Sequence, residues 1–306
     1  FIGVTATTRA AITVSPGEMA QQSQWLQANL LTASNLPPFS FTYNGQSSSS
    51  LLPTWVRTEI DTVLDADRTQ HVITWTNNFL QVKCVIVEYN DYPMVEWTVY
   101  FKGIGPRNTP ILENIQGLDT TFSRTNESEF ILHGNKGDFN TADSYEPFQI
   151  TLPPSTVQNY SPPSYSGKSC DGPNGWPYYN LQMPGSGVIL AIGWPGQWAS
   201  SFTRNAGNDL RIQAGQQLTH LVLNPGEEIR TPLIAMLFWQ GTNLVRSQKV
   251  WRHWYLAHEI PRVIGEATAP LIAEGGHNNN IINACLQAGI RPYLMWRDAD
   301  TEPYSW

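Results

Sequence analysis

The sequence predicts a mainly β protein: a large two-sheet antiparallel sandwich, then a linker helix, then the incomplete start of a βαβ-type domain. Three observations predict it. Between Gln70 and Lys102 apolar residues alternate with period two, the pattern of strands that bury one face. Up to residue 240, turn signals recur at short intervals and no convincing helical period interrupts them. Within Leu223 to Arg262 the hydrophobic period then changes from two to about three and a half. The expected boundaries are a sandwich over 1–240, a linker helix over 241–262 and a βαβ segment over 263–306.

Residues 1 to 50 hold a short strand candidate, Ala11 to Val14, and polar turn material ending in a run of serines at Ser47 to Ser50. Val72, Thr74 and Thr76 alternate with Ile73 and Trp75. Leu80, Val82, Cys84, Ile86 and Glu88 form one face of a long strand, opposite Val85 and Val87. Met94 to Lys102 repeats the pattern after a turn at Asn90, Asp91 and Pro93, so these segments read as an antiparallel meander. Strands continue at Ile111 to Phe122, Glu129 to His133, Gly187 to Trp194, Asp209 to Gln213, Thr219 to Leu223 and Glu228 to Trp239. Gly134 to Asp138 and Ser161 to Pro177 are expected as long Gly-, Pro-, Ser- and Asn-rich loops, the places where β domains put binding rims or interface arms.

The linker helix starts at an Asn243 N-cap and stops at Pro261, with Leu244, Trp251, Tyr255 and His258 along one face and Arg246, Lys249, Arg252 and His253 on the other. Beyond it, Ala269 to Ala273 reads as a buried strand, Asn278 to Gln287 as a helix ended by Gly289, and Arg291 to Trp296 as a second strand. A βαβ unit needs a parallel sheet, and one unit cannot bury itself.

Composition narrows the function. A net charge of −7 argues against a polyanion, because phosphate binding is driven by Lys and Arg, so nucleic acid is excluded as a primary ligand. The 12 Trp exceed what a core needs, and aromatic faces stack on sugars or line apolar pockets as well as filling sandwiches. Cys84, Cys170 and Cys285 make neither a disulfide framework nor a zinc pattern, and no run reaches the length of a membrane span. The chain opens at Phe1 without Met, which fits removal of a signal peptide, and a Lys-poor, Trp- and Tyr-rich composition suits a secreted or periplasmic protein. No GxSxG, P-loop, GxGxxG or HExxH occurs, so no nucleotide, metal or other cofactor is expected.

The candidate site residues are few. Asp298 and Asp300 follow the second strand of the βαβ segment, where α/β proteins carry functional groups. Carboxylates there hold sugar hydroxyls by two-pronged hydrogen bonds or bind a metal; the competing reading is a solvated turn. The segment Trp194-Pro195-Gly196-Gln197-Trp198 is either a sugar-stacking or interface loop or a core corner. His133 reads as a satisfied strand-end histidine rather than a rim ligand, and His253 and His258 as packing or capping groups.

The order of parts resembles the α-galactosidase (melibiase) family of retaining glycoside hydrolases. The resemblance rests on GVILAIGWPGQWASSF at Gly187 to Phe202, on NPGEEIRTPLIAMLFWQG and the WRHWYLAHEIPR helix, and on PYLMWRDAD at Pro292 to Asp300, and runs from about Asn180 onward. It implies a sandwich followed by the first part of a (β/α)8 barrel. It implies that Asp298 accepts hydroxyls of a terminal α-linked galactose or a related sugar, with Asp300 beside it and Trp296 and Trp198 as apolar walls. The Gly and Trp that follow the family motif are Asp300 and Thr301 here, which leaves the identity of the sugar open. Retaining chemistry needs two carboxylates about 5 Å apart. The family carries both on later strands, and no Lys-x-Asp motif lies downstream of Arg262, so no catalytic residue is assigned within this chain. Two alternatives stand beside the enzyme reading: a non-catalytic carbohydrate-binding module, and a scaffold whose sandwich mediates contacts in a homo-oligomer.

Overall fold

The structure, a computed structural model, describes residues 13–32, 36–125, 128–260, 262–263 and 266–267. The chain divides after Trp251 into two compact units, each taken by itself.

The first unit opens with a helix, α1 (Pro16–Leu26). Ser15 caps it: its hydroxyl accepts from the Glu18 N–H at 3.2 Å while Glu18 Oε2 accepts from the Ser15 N–H at 2.8 Å, a reciprocal capping box with Pro16 at the first helical position. This corrects the expectation of strands alone before residue 240. Of the expected strand Ala11 to Val14, residues 13 and 14 are not in a strand and 11 and 12 lie outside the described residues. A wide turn over Gln27–Leu31 ends the helix.

The strands then follow in order. β1 (Ser40–Tyr43) and β2 (Gln46–Ser47) form a small hairpin, with a single helical turn α2 (Ser48–Leu51) behind it. β3 (Val56–Val63), β4 (Arg68–Thr76), β5 (Leu80–Tyr89) and β6 (Met94–Gly103) are the expected antiparallel meander, now with one strand more at its start. β7 (Leu112–Gln116), β8 (Leu118–Ser123) and β9 (Phe130–Asn135) come next. β9 runs through Gly134 and Asn135, which were expected in a loop. β10 (Pro147–Leu152), β11 (Val157–Tyr160), β12 (Tyr178–Met183), β13 (Ser186–Gly193), β14 (Trp198–Arg204) and β15 (Asp209–Gln216) follow. The set closes with β16 (His220–Leu221), β17 (Glu228–Arg230) and β18 (Leu233–Gln240). The single strand expected over Glu228 to Trp239 is split because Pro232 cannot donate to a ladder; Thr231 bridges the gap by accepting from the Val99 N–H through its hydroxyl at 3.0 Å.

One layer of the sandwich is a ten-stranded sheet in the order β10-β9-β12-β13-β18-β6-β5-β4-β3, with β17 also paired to β6. The second layer is not one sheet but two of four strands, β11-β14-β15-β8 and β16-β7-β1-β2. The core between the layers is continuous. Leu80, Val82, Cys84 and Ile86 of β5 point into it, as their alternation requires, and meet Trp97 and Phe101 of β6 and Phe41 of β1. At the other end Tyr179 of β12 lies edge-on to Phe202 of β14, ring centres 5.0 Å apart. Burial pushes the Cys84 thiol far up, so it is a core residue and not a reactive one.

The last helix, α3 (Leu244–Trp254), begins as expected: Asn243 Oδ1 accepts from the Arg246 N–H at 3.0 Å. Its buried face is shifted from the expected one. Ser247 and Val250 are buried, while Trp251 is half-buried. α3 meets the large sheet at β12, and the neighbouring β13 and β18, buried on both faces, read as nearly continuous apolar runs, VILAI and LIAMLFW. The fit is a polar one: the Trp239 indole N–H donates to Asn180 Oδ1 at 2.9 Å, and Asn180 Nδ2 donates to Ser247 Oγ at 3.0 Å.

In the second unit a wide helical turn over Tyr255–Glu259 precedes two short paired strands, Arg262–Val263 and Glu266–Ala267. The expected βαβ segment over 263–306 otherwise lies outside the described residues.

Candidate functional site

Asp298, Asp300 and Trp296 lie outside the described residues. Trp198 opens β14 and is completely buried, with its indole N–H donating to the Ser169 carbonyl at 2.7 Å. It offers no face to a ligand, so it corrects the sugar-wall assignment in favour of the core corner. His133 is the satisfied strand histidine expected, its Nε2 3.0 Å from Gln182 Oε1.

The two long loops are where the first unit gathers polar and aromatic groups. They lie against each other: the Asp138 N–H donates to the Cys170 carbonyl at 2.7 Å, and the Gly137 N–H to the Gly172 carbonyl at 3.0 Å. Gly137 is required by this approach, since a Cβ there would sit 2.4 Å from the Cys170 carbonyl oxygen. The loop over 136–146 is tied by charge. Lys136 Nζ reaches Asp143 Oδ2 at 2.8 Å and Glu146 Oε2 at 2.6 Å. The Lys136 ammonium, helped by the Thr141 hydroxyl, pushes the Asp143 carboxyl down to about 2. The Asn140 N–H holds the Asp138 carboxyl below its ordinary value.

This tying displays a run of aromatic rings. Tyr145, at φ 65°, lies edge-on to Trp176 at 5.4 Å; Trp176 is 5.8 Å from Tyr178, and Tyr178 is 6.0 Å from Trp251 on α3. Tyr145 and Tyr178 are exposed and the two indoles half-buried. Elsewhere on the 161–177 loop a cavity of about 310 Å³ is lined by Ser161, Ser164, Asn174, Gln197 and Gln217 together with Pro162, Pro163 and Pro173. Gln197 comes from the Trp-Pro-Gly-Gln-Trp turn; its Nε2 donates to the Pro162 carbonyl at 2.7 Å and to Gln217 Oε1 at 2.9 Å. Trp194 of the same turn is covered by the Arg230 guanidinium, 5.3 Å from the ring.

The hydroxyls and amides of the cavity, without a charged lining, suit a neutral, hydroxyl-rich ligand. No carboxylate lines this cavity. Among the described residues no group of three or more His, Cys, Asp or Glu side chains is arranged to hold a metal, and no helix is long and apolar enough to cross a membrane. The loops were legible as candidate rims, but nothing in the sequence paired Tyr145 with Trp176, 31 positions further on.

No protein-family model and no curated protein matches the sequence. Solved structures do match the fold. The α-galactosidase from Lactobacillus brevis superposes with a TM-score of 0.61 at 14% identity, over 84% of this chain and 37% of that one. GH36 alpha-galactosidase AgaB from Geobacillus stearothermophilus gives 0.59 at 14% identity, over 84% and 38%. A variant of AgaA from the same organism, in complex with raffinose, gives 0.57 at 14% identity, over 78% and 34%. The chain thus spans little more than a third of the length of these proteins, and the β-sandwich fold implied by the resemblance is the one observed.

Proposed function

We propose that this chain is the amino-terminal portion of an α-galactosidase-like glycoside hydrolase, acting on terminal α-linked galactose or a related sugar by a retaining double displacement. The observation that carries the reading is the fold likeness over 84% of the chain to α-galactosidases. The sequence segment PYLMWRDAD supports it independently, with Asp298 as hydroxyl acceptor, Asp300 beside it and Trp296 as an apolar wall. The nucleophile and the acid/base, about 5 Å apart in a retaining site, are assigned to no residue here. Raffinose, held by one of the similar proteins, is the substrate class to try first. Composition favours secretion or a periplasmic location for the product.

The test pairs the intact mass of the natural product with its hydrolysis of an aryl α-galactoside. A species well above 34.3 kDa that turns the substrate over, and loses that turnover in Asp298→Asn, supports the reading. A 34.3 kDa species without turnover overturns it.

A second reading is favoured by the aromatic run at the two loops and by the uncharged cavity lined by the second of them: a carbohydrate-binding sandwich that needs no catalytic partner. Calorimetric titration of the 306-residue chain with raffinose separates the two, since only this reading requires the chain to bind sugar by itself.

A further inference from the structure

Strand β3 forms one end of the ten-stranded sheet and, among the described residues, pairs with β4 alone. The ladder between them is unbroken from Val56 opposite Thr76 to Val63 opposite Thr69, so no bulge twists the edge away. The strand contains no Pro or Lys, and the charges it does carry, Arg57, Glu59 and Asp61, are of both signs. Its apolar side chains are exposed: Val56 is 69% accessible, Ile60 64% and Val63 75%. A strand of β-branched residues whose outer backbone donors and acceptors have no partner among the described residues is a template for another strand.

The sequence of the edge itself selects the occupant. We infer that β3 pairs antiparallel with β3 of a second copy of this chain, centred on Thr58, to make a two-fold dimer with a sheet continuous through both copies. A two-fold axis perpendicular to the sheet keeps every side chain on its own face, so only residues of the same parity can stand opposite each other. Centring on Arg57, Glu59 or Asp61 places like charges directly opposite themselves, and centring on Ile60 places Glu59 opposite Asp61. Centring on Thr58 places Val56 opposite Ile60 and Arg57 opposite Glu59, each pair occurring twice, with Thr58 opposite itself. Arg57 and Glu59 already pair along the strand at 2.8 Å, so the dimer sets two such pairs side by side with alternating sign. Apolar residues meet on one face and opposite charges on the other.

The proposal is tested on the 306-residue chain by sedimentation velocity at micromolar concentration, and expects a species of twice 34.3 kDa. Arg57→Glu or Glu59→Arg alone sets like charges opposite each other and weakens the dimer by at least about tenfold, while the double exchange restores it. Thr58→Cys forms an intermolecular disulfide on mild oxidation, because opposed residues on neighbouring strands lie within bridging distance. Neither the unsubstituted chain, with its own three cysteines, nor Thr62→Cys does so. A chain that stays monomeric overturns the inference, as does a dimer indifferent to the single exchanges or not rescued by the double one. Near-ultraviolet circular dichroism of each variant, expected to match the unsubstituted chain, separates loss of pairing from loss of fold.

Discussion

Glu18 of α1 and Arg246 of α3 form a two-pronged ion pair between segments 228 residues apart, with Oε2 2.8 Å from Nη2 and Oε1 against Nη1. Glu18 is fully buried, and it also accepts from the backbone N–H of Ser15 and of Gln240, the last residue of β18. One carboxylate therefore caps a helix, ties off a central strand and holds a second helix.

Removing the cation is expected to be costly. Arg246→Ala leaves a buried carboxylate uncompensated and should destabilise the first unit by about 3 kcal/mol in chemical denaturation. Burial alone would raise the Glu18 carboxyl, but Arg246, Ser15 and Gln240 together hold it below its ordinary value. A depressed carboxyl contributes stability that is present above its unfolded pKa and lost as pH falls through the folded value. Acid unfolding of the native chain should thus show this loss, and Arg246→Ala should show less of it.

His71 carries the opposite pH dependence. Its ring lies between two carboxylates, Nε2 3.3 Å from Glu88 and Nδ1 2.8 Å from Asp61, and Gln22 of α1 donates to the same Glu88. Glu88 raises its pKa above the ordinary value, burial opposes this, and Asp61 adds to the rise. A raised histidine contributes stability that is full below its unfolded pKa, near 6.5, and lost as pH climbs through the folded value. Nuclear magnetic resonance of the imidazole should give a midpoint above 6.5, moved down in Glu88→Gln. A midpoint at or below 6.5 in the native chain would refute this.

The chain Trp239–Asn180–Ser247 predicts coupled mutants. Ser247→Ala leaves the Asn180 amide with an unpaired buried donor and should cost about 1–3 kcal/mol. Asn180→Ala orphans the Trp239 N–H at similar cost. Because both changes break one network, the double variant should lose less than the two single losses combined, which urea titrations of the four proteins will measure.

Two tryptophans should behave differently. Trp198→Ala opens a cavity in the core and should cost about 3–5 kcal/mol. Trp176→Ala removes one ring from the aromatic run, and if the loops hold sugar it should weaken raffinose binding roughly fivefold while leaving the unfolding midpoint nearly unchanged. Equal losses of stability in the two variants would remove Trp176 from the site.

Much of this architecture is legible in the amino-acid sequence. The alternation of Leu80, Val82, Cys84 and Ile86 is a direct record of one buried face, and Asn243 is a cap that announces itself. Helix α1 was not legible by period because its buried line is Glu18, Gln22 and Leu26, two polar residues and one apolar. Ser-Pro-x-Glu at Ser15 to Glu18 was the signal that could have found it. The same effect misplaced the face of α3, whose buried line passes through Ser247. Trp198 shows the limit at the site: period two assigns it to one face of β14 but does not say whether that face meets solvent or the opposing layer.

The strand order also governs how the protein is made. β18, near the end of the first unit, sits between β13 and β6, so the two halves of the large sheet have no common strand until it emerges. β6 ends at Gly103 and β18 begins at Leu233, so at ordinary translation speeds β6 waits on the order of ten seconds with a bare edge. A nascent chain with an apolar, half-finished sheet is a client for chaperones, and its yield should depend on how slowly the ribosome crosses that interval.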